Sequence, residues 1–91
     1  MAALSRVIEI CNSRGLHARA SAKFVKLASG FEADIRVSRE GSTVDARSIM
    51  GLLMLGAGIG STIEISAEGP DAEAALDALA DLVGCRFEEE H

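Results

Sequence analysis

The stretch GLHARASAKFVK, residues 15–26, marks the point where a loop becomes a helix. A glycine precedes His17, and small and long-chain residues follow it at helical spacing, so we predict that His17 lies at the helix start. The first turn of a helix presents unpaired backbone N–H groups and the positive end of the helix dipole, and Arg19 lies within that turn. An anion attached to the imidazole would therefore be stabilised.

The residues outward from this stretch predict the element order βαββαβα. Alternating apolar and polar residues indicate strands at 6–11, 33–39, 42–46 and 61–67, the middle two joined by a tight turn at Glu40-Gly41. Apolar residues at helical spacing indicate helices at 18–29, 49–55 and 72–83. Since each element has one apolar face, we predict an α+β fold of two layers, with the helices on one side of a mostly antiparallel sheet.

Length and composition favour one small domain. The chain has 91 residues, of which 48% are apolar, enough to bury a single core over residues 1–91, with residues 88–91 as a frayed tail. Only 3% of the residues are aromatic and the net charge is −5, which argues against nucleic-acid binding. The N-terminal residues lack the apolar run of a signal peptide, and no run suits a membrane span. We therefore expect a cytoplasmic protein that does not bind membranes.

Charge is unevenly distributed along the chain. No acidic residue lies between Glu9 and Glu32, whereas four basic residues fall in that interval: Arg14, Arg19, Lys23 and Lys26. The simpler interpretation is a solvated basic face. Beside His17, the alternative is a local field that attracts an anionic group or an acidic partner.

The cysteines show no metal-ligand spacing. Cys11 and Cys85 both lie next to apolar segments, where free buried thiols are common, so we expect neither a disulfide nor a metal site. We also expect no cofactor.

Two motifs resemble those of HPr, the histidine-containing phosphocarrier family of the phosphoenolpyruvate-dependent phosphotransferase system. GLHAR, residues 15–19, is similar to the active-site signature, and SIMGLLMLG, residues 48–56, is similar to the regulatory-serine helix. The resemblance implies an open-faced sandwich with sheet order 1-4-2-3 and three helices on one face. It also implies that His17 accepts a phosphoryl group on Nδ1 from phospho-Enzyme I and passes it to an enzyme IIA protein or domain, with Arg19 stabilising that group.

On this resemblance the chain is a carrier rather than an enzyme with its own turnover. Ser48 has a plain explanation as the N-cap of the second helix. The resemblance adds a second role, as a site for HPr kinase/phosphorylase. It further implies a partner-binding surface beside the histidine, which we assign to Leu16, Ala20, Ile49, Met50 and Leu53.

One residue departs from the usual family pattern, because Ala20 follows the arginine where proline is commonest. Proline in a first helical turn removes an N–H that would be unpaired anyway, so alanine should preserve the helix at small cost.

Several functional alternatives stay open. Within the family, the chain could serve sugar uptake or a regulatory, nitrogen-linked branch. A non-transferring module could instead bind a regulator through the Ile49 to Leu53 patch, although relatives with that role lack the histidine. A third class is a small phosphate-binding enzyme such as an acylphosphatase. The sequence has no matching glycine-rich loop with an asparagine downstream, which argues against it. For a small acidic relay that docks transiently we expect a monomer.

Overall fold

The computed structural model describes residues 3–88 and contains a four-stranded antiparallel sheet with three helices. The strands are β1 (Leu4–Glu9), β2 (Asp34–Arg39), β3 (Ser42–Asp45) and β4 (Thr62–Glu68). The helices are α1 (Ala18–Ala28), α2 (Ile49–Met54) and α3 (Ala72–Gly84). The sheet order is β1-β4-β2-β3, so the predicted element order and the sheet order implied by the resemblance are both confirmed.

One face of the sheet forms one side of the hydrophobic core. Alternate residues of the two central strands are buried: Ile35, Val37, Ile63, Ile65 and Ala67. In the register of β2 with β4, Val37 lies opposite Ile65 and Ile35 opposite Ala67, so these side chains share one face. The period-two pattern of the sequence thus sets which face is covered.

The helices supply the other layer. Phe24 of α1, Leu52 of α2 and Leu79 of α3 are fully buried against the inner face of the sheet, and α1 packs beside both other helices. Ala20, Phe24 and Ala28 give α1 one buried apolar face, as its helical spacing predicts, and Leu27 is half-buried. None of the helices within residues 3–88 combines the length and hydrophobicity needed to cross a membrane.

A C-terminal turn, Arg86–Glu88, follows α3 and was not predicted. Its three residues have φ angles of 55°, 54° and 64°, a left-handed conformation that costs about 1–2 kcal/mol per residue outside glycine. Complete burial of the Phe87 ring offsets part of this cost, and Lys23 Nζ donates a 2.6 Å hydrogen bond to the Phe87 carbonyl. Glu88, the first residue of the predicted frayed tail, therefore belongs to an ordered turn, while residues 89–91 lie outside the described residues.

Candidate functional site

The loop before α1 is closed on itself and anchored to a second loop. Buried Asn12 donates through Nδ2 to the Gly15 carbonyl at 2.9 Å, and the Gly15 N–H donates to the Asn12 carbonyl at 3.2 Å. Gly15 has a φ of +62°, and a Cβ there would lie 2.3 Å from the Ala57 carbonyl oxygen. Leu16 N–H donates to that same oxygen at 2.9 Å. The histidine loop is thus fixed against the segment that follows α2.

Ser21 holds the first turn of α1 from the inside. Its hydroxyl donates to the Leu16 carbonyl at 3.1 Å, and its N–H donates to the His17 carbonyl at 2.8 Å. Ser21 is fully buried, so these bonds are shielded from water. Sequence reasoning did not assign this role to Ser21, although a serine on the inward side of a first helical turn was a usable signal.

His17 is the N-cap residue of α1, as predicted. Its backbone is extended, with φ −75° and ψ −179°, and the residue is half-buried. Nδ1 accepts a hydrogen bond from the Arg19 backbone N–H at 3.3 Å. A nitrogen that accepts carries a lone pair, so the neutral ring that fits this arrangement has its proton on Nε2. The Nδ1 lone pair therefore faces the positive end of α1.

The basic residues around His17 divide into two groups. Arg14, Arg19 and Lys26 are exposed, which leaves their charges at the surface. Lys23 instead turns toward the C-terminal turn, where its Nζ is held by the hydrogen bond described above. The predicted basic field is therefore carried by fewer side chains than the sequence suggested.

Ser48 caps α2, as predicted from its position. Its hydroxyl oxygen accepts a 3.0 Å hydrogen bond from Gly51 N–H, and its carbonyl accepts from Leu52 N–H at 3.0 Å. Ser48 is half-buried at the N-terminus of a helix with no acidic residue in its first turn. A negative charge on this side chain would meet the positive end of the helix dipole.

An apolar patch is exposed on α2 and the loop after it. Met50 is 69% exposed and Met54 80% exposed, and the whole patch comprises Ile49, Met50, Leu53, Met54 and Ile59. Sequence reasoning identified Ile49, Met50 and Leu53 but missed Met54, the last residue of α2, and Ile59, which lies in the following loop. Because this loop is bonded to the histidine loop, the patch and His17 lie on connected segments.

The assignment of Leu16 and Ala20 to the partner-binding surface is wrong for their side chains, which are buried. Leu16 is 5% exposed and Ala20 is fully buried, so neither side chain is available to a partner. The Leu16 backbone is tied to Ala57 and Ser21, which turns its side chain into the core. Ala20 lies on the inner face of the first turn of α1, where it also belongs to the core.

The cysteines are both free thiols. Cys11 is half-buried, with its Sγ 3.2 Å from the Val83 carbonyl oxygen, whereas Cys85 is exposed rather than buried. Among the residues that the structure describes, no cluster of histidine, cysteine, aspartate or glutamate side chains could hold a metal ion.

Comparison with known proteins shows the family. The family model described as "PTS HPr component phosphorylation site" matches residues 4–84. A phosphocarrier protein HPr of Cupriavidus necator is 52% identical over 94% of this chain and 97% of its own, and a phosphocarrier protein NPr of Shewanella violacea is 47% identical over 98% of both. The crystal structure of an HPr from Thermoanaerobacter tengcongensis has a TM-score of 0.93 at 45% identity, covering 97% of this chain and 99% of that one. The chain belongs to the HPr family of phosphocarrier proteins of the phosphotransferase system.

Proposed function

We propose that His17 accepts a phosphoryl group from phospho-Enzyme I and passes it to an enzyme IIA protein or domain. The observation that carries this proposal is the contact of His17 Nδ1 with the Arg19 N–H at the start of α1. A ring nitrogen with its lone pair held at a helix N-terminus is available as a nucleophile, and the same N–H groups favour an anion.

The transfer follows from this geometry. The Nδ1 lone pair attacks phosphorus, the bond from phosphorus to the donor breaks, and its electron pair stays with the donor. Once Nδ1 carries the phosphoryl group it no longer accepts from the Arg19 N–H, which then donates to a phosphoryl oxygen instead. The exposed Arg19 guanidinium adds charge stabilisation to the same group.

Half-burial of His17 suits a relay between two partners. The ring lies at a loop-to-helix junction, where two different proteins can reach it in turn. Because the next acceptor must remove the phosphoryl group, the site should hold it without binding it too tightly. In this role the chain is a substrate and product of other enzymes, and it has no turnover of its own.

The exposed apolar patch supplies a docking surface for these partners. Its methionines adapt to different apolar surfaces, which fits a protein that meets both a donor and an acceptor. Phosphorylation of Ser48 by an HPr kinase/phosphorylase would place a dianion at the α2 N-terminus, where the fold tolerates it. The added charge would repel acidic partners, so modification would weaken docking by a monomeric, cytoplasmic carrier.

Incubation with phosphoenolpyruvate, magnesium and Enzyme I tests the carrier function. Intact mass should show one added phosphoryl group on the wild-type chain, and mild acid should remove it. His17→Ala should gain none under the same conditions. An unlabelled wild type, or a labelled His17→Ala variant, would refute the proposal.

A second candidate is the regulatory, nitrogen-linked branch. It is favoured by the similarity to an NPr, at an identity close to that of the HPr relative. Phosphorylated chain offered equal amounts of a sugar-type and a nitrogen-type enzyme IIA should label the sugar-type acceptor faster. Faster labelling of the nitrogen-type acceptor would assign the chain to that branch. A module that does not transfer phosphate is disfavoured because His17 is retained.

A further inference from the structure

A concave surface that His17 does not line lies between the C-terminal halves of α1 and α3. It is a groove of about 510 Å³, within the size range of small-molecule sites. The side chains around it are Lys23, Lys26, Leu27, Phe31, Leu82 and Glu88.

The floor of the groove is apolar and partly open to water. Leu27, Phe31 and Leu82 are each half-buried and pack against the hydrophobic core on their inner sides. Their outer sides form a contiguous apolar surface with one aromatic ring. An apolar group of a ligand would therefore remove hydrophobic surface from water on both partners.

The rim of the groove is positive, in a chain whose net charge is −5. Lys26 is exposed at one side. The Lys23 ammonium is fixed at the other side by the Phe87 carbonyl at 2.6 Å and by Glu88 at 3.9 Å. Among the described residues that line the groove, two cations face one carboxylate, which leaves an excess positive charge. An ammonium already held in place loses little side-chain entropy when it binds an anion.

We propose that this groove binds a small amphipathic anion, with an apolar or aromatic body on the floor and a carboxylate at the lysine rim. The apolar floor matches the body of such a ligand, the cationic rim matches its carboxylate, and the groove is large enough for a small molecule. A protein partner fits less well, because the large exposed apolar side chains lie on α2, its following loop and β1 rather than on this concave surface. The proposal does not depend on the transfer of phosphate by His17.

The test uses 4-phenylbutyrate as the probe and 4-phenylbutylamine as a cation of nearly the same shape. In ¹⁵N-edited NMR titrations of the full chain, the carboxylate should shift the amides of Leu27, Phe31 and Leu82 saturably, with a dissociation constant of about 1–10 mM. The amine should bind at least about threefold more weakly because the rim repels it.

Two variants, each of which removes one positive charge, complete the test. Lys26→Gln should weaken phenylbutyrate binding at least about threefold, whereas Arg36→Gln, which removes an exposed cation on β2, should leave it unchanged. No saturable shift, equal binding of the amine, or equal effects of the two variants would overturn the proposal. Comparison of variant and wild-type spectra without probe verifies that both variants are folded.

Discussion

The Nδ1 atom of His17 lies 3.3 Å from the backbone nitrogen of Arg19 and accepts its hydrogen bond. The lone pair of Nδ1 thus caps α1 and is also the proposed nucleophile for phosphoryl transfer. Phosphorylation at this nitrogen must exchange the cap for a phosphoryl contact at the same N–H. Since α1 has no acidic residue in its first turn, the dipole at this end gains an anion only when the chain is loaded.

The two roles of His17 can be separated by substitution. His17→Asn keeps an oxygen acceptor at the N-cap, whereas His17→Ala has none, so we expect His17→Ala alone to lower the free energy of unfolding, by about 0.5–1 kcal/mol. Urea denaturation measures this difference. Neither variant should accept a phosphoryl group from Enzyme I. Equal stability of the two variants would show that the Nδ1 contact does not stabilise α1.

Gly15 should be the least replaceable residue of the histidine loop. In Gly15→Ala the new Cβ would meet the Ala57 carbonyl oxygen at 2.3 Å, in addition to the strain of a φ of +62°. We expect the free energy of unfolding to fall by about 3 kcal/mol or more. Phosphoryl transfer should also slow, because the loop that carries His17 must shift.

Gly56→Ala is the matched control for this change. Gly56 has a φ of +63°, but nothing lies within 4 Å of an added Cβ. It therefore tests the backbone strain alone, which should cost about 1–2 kcal/mol. If both variants lost the same stability, the close approach of Gly15 to Ala57 would contribute nothing.

The individual helices and strands could be predicted from the sequence better than the contacts between them. The alternation in β4 and the serine before α2 reflect local rules, so the strand and the cap could be predicted. The burial of Leu16 could not, because it depends on a bond to Ala57, a residue distant in the chain. The engagement of Lys23 by the C-terminal turn is equally non-local, and the left-handed conformation of that turn contradicts local preference.

Ser48 allows the effect of charge to be separated from that of capping. Ser48→Asn and Ser48→Asp both retain an N-cap acceptor, so their free energies of unfolding should stay close to that of the wild type. Ser48→Ala should lose about 1 kcal/mol, because Gly51 N–H loses its 3.0 Å partner.

Labelling by Enzyme I then reports on docking. Only Ser48→Asp adds a negative charge, so it alone should raise the KM of Enzyme I for this chain. A KM for Ser48→Asp equal to that for Ser48→Asn would contradict the argument that phosphorylation weakens docking through charge.

Arg39, on β2, stabilises the C-terminal end of α2. Its guanidinium donates to the Leu55 carbonyl at 3.0 Å, at the C-terminus of a helix that has no basic residue in its own last turn. Arg39→Gln should therefore lower the free energy of unfolding by about 1 kcal/mol. Arg36→Gln, on the same strand, removes only an exposed ion pair with Asp34 and should cost less than about 0.5 kcal/mol in the same urea measurement. Similar losses for the two would mean that the Arg39 contact with α2 is energetically unimportant.

The exposed methionines should matter for partners and little for folding. Met50 and Met54 have most of their surface in water, so replacing either by alanine, another good helix former, should change the free energy of unfolding by less than about 0.5 kcal/mol. If the patch docks Enzyme I, each change should raise the KM for phosphorylation several-fold with little effect on kcat, because binding surface is lost while the contacts of His17 are kept.

Leu52 provides the contrasting variant on the same helix. It is fully buried, so Leu52→Ala should lower the free energy of unfolding by about 2–5 kcal/mol. Assayed at a temperature where this variant is still folded, its KM should rise less than that of Met54→Ala, because no exposed contact is removed. If KM rose across the three variants in line with the stability lost rather than with the exposed surface removed, α2 would act only by maintaining the fold. The patch would then not be a docking surface.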